Sequence, residues 1–122
     1  MTIIFATLSG LIHVYIFALE SLLWGKPKTN KAFKQTPETA EITRNFAYNQ
    51  GWYNLFLAIG TLGGVVLNLM GMHPIIAKTL IAYANISMLA AALVLITSNK
   101  ELYRAAIIQG LAPLLALIGL FL

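Results

Sequence analysis

The residues of this 122-residue chain that could do chemistry are polar side chains set in apolar segments. His13 and Glu20 stand seven residues apart in the first such segment. On a helix that spacing puts both on one face, about 10 Å apart along the axis. Arg44, Asn49, Gln50, Tyr53 and Asn54 cluster in the second segment, Asn85 lies in the third and Gln109 in the fourth. A carboxylate and a guanidinium at similar depth would neutralise one another, or anchor a polar head group. Amides would orient a ligand by hydrogen bonds, and an imidazole could carry a proton or sit hydrogen-bonded in the core. Glu20 and Arg44 are therefore expected within ion-pair distance. His13, Asn54, Asn85 and Gln109, one per segment, are expected to converge near one depth.

Each of these residues also has a plainer role. Asn, Gln and His often act as interhelical glue, at about 0.6 kcal/mol each, and Asn85 suits that role best. Trp24, Tyr48, Trp52 and Tyr53 suit a membrane-interface belt. Gly60 and Gly64 have the spacing of a close-packing helix face. Asn85-Ile86-Ser87 spells a glycosylation sequon, but inside an apolar helix it carries no weight. There is no phosphate loop, no H-E-x-x-H and no G-x-S-x-G. The chain has no cysteine and only two histidines, placed on different elements, so no metal site is expected.

Composition names the solvent of the elements that hold these residues. The chain is 59% hydrophobic and 10% charged, against roughly 25% charged in soluble domains. A soluble domain of this size could not hide so much apolar side chain, because small domains keep a large surface fraction. Four apolar stretches each match the roughly 20 residues needed to cross a bilayer. The breakers between them predict helices over about 2–24, 37–70, 75–97 and 100–122, in one all-α four-transmembrane-helix bundle. Gly25 and Pro27 stop the first helix. Thr36-Pro37-Glu38 reads as a cap, a first-turn proline and an acid that open the second. Ser98 to Glu101 has capping-box spacing before the fourth. Pro113 should kink or loosen that helix. The N-terminal segment lacks a basic leader and a small-residue cleavage site, so it is expected to be retained.

Seven of the eight basic residues lie in or beside the first and third loops. The positive-inside rule then puts those loops in the cytoplasm and both chain ends outside. The net charge of +4 is a topology signal rather than a mark of nucleic-acid binding.

Three blocks carry a family resemblance. They are Leu11-Ile-His13-Val-Tyr15-Ile-Phe17-Ala-Leu-Glu20 closed by Trp24, Asn49-Gln50-Gly51-Trp-Tyr53-Asn54-Leu-Phe-Leu57-Ala58, and Gln109-Gly110-Leu-Ala-Pro113-Leu-Leu-Ala116-Leu. Together they resemble the bacterial membrane-protein family catalogued as domain of unknown function 1304. A more distant likeness joins Lys31-Ala-Phe33, Pro37, Arg44, Asn49 and Phe56-Leu57. It is similar to the second-helix region of the membrane-associated proteins in eicosanoid and glutathione metabolism. That resemblance implies four helices, both ends outside, a homotrimer, and glutathione as the one candidate cofactor, bound on the cytoplasmic side.

The combined expectation is a bacterial inner-membrane protein, surrounded by lipid, with a polar pocket open to the cytoplasm. The pocket would hold a small amphipathic or lipid-like ligand against His13, Glu20, Arg44, Asn49, Gln50, Tyr53, Asn54 and Gln109. Two rivals are a structural protein whose polar residues are glue and a glutathione-transferase-like membrane enzyme.

Overall fold

In a computed structural model that describes residues 1–122, the chain is all helical. Helix α1 (Thr2–Phe17) runs into a π-helical turn (Ala18–Leu22). Two short helices, α2 (Pro27–Ala32) and α3 (Pro37–Ile42), occupy the first connection. The long helices α4 (Arg44–Leu69), α5 (Pro74–Ser98) and α6 (Tyr103–Phe121) complete the fold. The four spans pack in a ring in which α1 touches α4 and α6, and α5 touches the same two. Both chain ends lie at one end of the bundle, where Thr2 packs against Gly119.

The distribution of side chains is inside out by soluble standards. The buried core is mostly small, with Ala6, Ala58, Ala77, Ala84, Ala106 and Ala116 at its centre. Large side chains such as Ile4, Phe56, Leu93 and Ile107 are exposed around the ring. Lipid is as apolar as leucine, so nothing drives these side chains inward, and small residues let the backbones approach. Gly64 shows the point: a Cβ there would lie 2.8 Å from the Ala77 carbonyl oxygen, so α4 meets α5 closely. Gly60 also faces α5, near Ala84, so this pair packs within the chain. All four spans are long and apolar enough to cross a membrane, and the chain reads as a multi-pass membrane protein.

Two boundaries differ from the sequence expectation, each for a local reason. The expected continuous helix over 37–70 is broken at Thr43. There the indole N–H of Trp24 donates to the Ala40 carbonyl at 3.0 Å, an acceptor that a regular helix would offer to Arg44. The Thr43 hydroxyl also bonds back to Thr39 O at 2.8 Å. Both effects loosen the i→i−4 ladder. At the fourth span a 3₁₀ turn (Lys100–Leu102) precedes α6, and it is Asn99, not Ser98, that caps it, accepting from Glu101 N at 3.1 Å. The Thr36 cap is as expected, with its hydroxyl accepting from Thr39 N. Helix α6 runs unbroken through Pro113. The turn into α5 is a Schellman motif, with Met72 N bonding Leu67 O and Gly71, at φ 66°, bonding Asn68 O.

Candidate functional site

The polar residues of the spans fall into two separate groups. The first is a closed node nearer the chain termini. Asn85 Nδ2 donates to Thr61 Oγ1 at 3.0 Å and to Ile81 O at 2.8 Å, while its Oδ1 accepts from Ser9 Oγ at 2.7 Å. These contacts tie α1, α4 and α5 together, and all three side chains are fully buried. His13 lies one turn on from Ser9, buried, with Nδ1 2.9 Å from the Ser9 carbonyl oxygen. Every buried polar side-chain atom of the protein has a partner. This node is glue, as expected for Asn85. Replacing Asn85 with leucine removes its bonds to Ser9, Thr61 and Ile81 O and leaves the two hydroxyls only the Ala6 carbonyl oxygen as partner, at about 0.5–1.5 kcal/mol for each lost bond. Thermal unfolding in detergent should show a large loss of stability, and a wild-type melting curve would contradict the assignment.

The second group surrounds Glu20, at the opposite end of the bundle. Glu20 sits in the π-helical turn, where Leu23 N bonds Ala18 O in place of the α-helical partner. Such turns recur at functional sites because the wide turn re-aims side chains. The turn is pressed against α4 at Gly51, where an added Cβ would collide with Ser21 Oγ. Ser21 in turn donates to the Tyr48 carbonyl at 2.8 Å. Glu20 is 4% exposed, and its Oε1 accepts from Asn54 Nδ2 at 2.6 Å.

Glu20 does not pair with Arg44, which corrects the sequence expectation. The guanidinium of Arg44 instead holds Glu41 at 2.9 Å, in the protein's one ion pair, and donates to the Trp24 carbonyl at 3.1 Å. An arginine one turn from an acid meets it more easily than one across the bundle. The break at Thr43 puts Arg44 at the start of α4, beside the first loop. Arg44 also lies against Gly25, whose φ of 91° suits glycine. Its role is to pin the loop.

Glu20 faces a cleft of about 720 Å³ between the π turn, α4, α5 and α6. Gln50, Tyr53, Asn54 and Gln109 line it, as do Trp24, Phe33 and Phe46. Five of the eight sequence-predicted ligand residues thus share one cleft. His13, Arg44 and Asn49 do not line it. His13 is enclosed in the core, and Asn49 is exposed on α4 without lining the cleft. The four expected midplane residues accordingly divide: Asn85 belongs to the node, Asn54 and Gln109 to the cleft, and His13 is enclosed in the core beside the node.

The first loop supplies residues that spacing alone did not mark. Phe33 packs edge-on against Trp24, with ring centroids 5.0 Å apart. Asn30 donates to Gly25 O and accepts from Gln35. These bonds fold α2 and α3 back over the bundle end, so that Phe33, Gln35 and Thr39 become walls of the cleft. The arrangement offers a carboxylate without a cationic partner, the four side-chain amides of Gln35, Gln50, Asn54 and Gln109, and a set of aromatic faces. That chemistry recognises a positively charged or hydrogen-bond-donating group. No cluster of metal-ligating side chains is present.

No curated protein and no solved structure matches the chain. Residues 7–121 match the family described as protein of unknown function, DUF1304. With nearly its whole length matched, the chain belongs to that family.

Proposed function

We propose that this protein binds a small amphipathic molecule in the Glu20 cleft, with a cationic or donor-rich head on the carboxylate and an apolar tail toward α5 and α6. One observation carries the reading: a carboxylate that is 4% exposed, lines a cleft and has no cationic partner. An ionisable group within a membrane span is costly, and where it is kept it commonly serves binding or transport. Asn54 holds the carboxylate in place, and Trp24, Phe33, Phe46 and Tyr53 supply faces for a cation. The acid favours a cation over glutathione, whose own carboxylates would meet Glu20 rather than a base. Interhelical glue remains the role of the Ser9–Thr61–Asn85 node.

The binding test is calorimetric titration of the detergent-solubilised protein with octylamine, octanol and octanoate. Octylamine should bind most tightly. Equal affinities for the three would refute a site built on charge.

The same reading puts the cleft on the cytoplasmic side of a bacterial inner membrane, with both termini outside. Its support is the seven-to-one bias of basic residues toward the first and third loops. A C-terminal fluorescent protein that folds only in the cytoplasm should stay dark. Bright cells would reverse the orientation.

A further inference from the structure

A second cleft, of about 750 Å³, opens between α1 and α6 beneath the first loop. Its charge is opposite to that of the Glu20 cleft. Lys28, Lys31 and Lys34 from the loop and Arg104 from the start of α6 line it, against a single acid, Glu101. None of the four cations has a carboxylate partner, since the one ion pair is Arg44–Glu41. Below this rim the walls are apolar, with Leu19 and Ile108 among them. A topology signal requires basic residues in loops; it does not require two loops to bring them to one cleft.

Lys34 adds an independent observation. It occupies the position after the C-cap of α2, in a Schellman motif closed by Lys34 N to Lys31 O and Gln35 N to Asn30 O. Its φ is 52°, a conformation in which glycine is the favoured residue. The chain keeps a lysine at a glycine position, and that lysine lines the basic rim.

We propose that this cleft binds the phosphate-bearing headgroup of an anionic membrane phospholipid, with Lys28, Lys31, Lys34 and Arg104 around the phosphate and an acyl chain against Leu19 and Ile108. Charge complementarity and position select the occupant. The cations sit at the loop end of the spans, where headgroups lie, above an apolar wall that a soluble anion would not use. The Glu20 cleft shares Phe33, Leu102 and Gln109 as a partition but takes the opposite charge.

Native mass spectrometry and titration with short-chain phosphatidylglycerol, phosphatidylcholine and glycerol phosphate test this directly. Phosphatidylglycerol should bind most tightly, and more weakly as salt rises. Equal binding of the two lipids overturns the proposal, and so does glycerol phosphate binding as well as phosphatidylglycerol. Lys34→Gly is the most informative variant, because it removes a charge and relieves the backbone. Phosphatidylglycerol affinity should fall about five-fold, with thermal stability unchanged or raised and octylamine binding unchanged. Arg104→Gln should give a similar loss from the other element. Undiminished phosphatidylglycerol affinity in both variants overturns the site.

Discussion

Replacing Glu20 with glutamine is expected to lower octylamine affinity about 100-fold while leaving the fold intact. Removing one partner of a desolvated charge pair typically costs about 2–5 kcal/mol, and 100-fold corresponds to about 2.7 kcal/mol. Glutamine keeps the shape and an oxygen that can still accept from Asn54, whose amide now lies 2.6 Å from Glu20 Oε1. Glutamine also removes a charge that has no cation beside it, so stability in detergent should hold or rise. A structural ion pair with Arg44 would have demanded the reverse. Glu20→Asp keeps the charge on a shorter stem and should retain part of the affinity. Octanol binding should scarcely change in either variant, because an alcohol has no net charge to lose. If Glu20→Gln binds octylamine as the wild type does, the carboxylate is not the anchor.

Gly51→Leu is expected to destabilise the protein by about 3 kcal/mol and to abolish the cleft's affinity with it. A Cβ at this position collides with Ser21 Oγ and comes within 3.1 Å of Glu20 Cβ. The serine must give up its 2.8 Å bond to Tyr48 O, and the remaining side chain must push the π turn off α4. Overpacking of this kind costs about 1–3 kcal/mol, and the lost hydrogen bond adds to it. The smaller Gly51→Ala should do less damage, and adding Ser21→Gly should recover part of it by vacating the contact. Melting curves for the single and double variants measure that coupling. Strict additivity would show that Gly51 and Ser21 do not meet. Gly63 is the internal control, since a Cβ there meets nothing within 4 Å, and Gly63→Ala should be close to neutral.

Much of this protein is written in one-dimensional pattern. Apolar length and the breakers between stretches determine four spans, because a bilayer accepts only segments that satisfy their own backbone hydrogen bonds. The cap at Thr36 and the packing face marked by Gly60 and Gly64 are equally local and legible in the sequence, although only Gly64 meets its neighbour too closely for a Cβ. Helical spacing gave His13 and Glu20 a common face, while the packing of the spans and the π turn at Glu20 decided that it points inward. Which polar groups meet across helices is a different matter, because it depends on the rotation and offset of each helix against its neighbours. That geometry gave Asn85 to Ser9 and Thr61, and Asn54 to Glu20. Arg44 left the site because the indole of Trp24 and the hydroxyl of Thr43 loosen the helix there, and Glu41 lies one turn away. The folded first loop was also invisible in the residue pattern. It is held by Asn30, Gln35 and Trp24 through bonds to the backbone and to one another. Such bonds leave no periodicity to read, yet they carry Phe33 to the Glu20 cleft and Lys34 to the basic one.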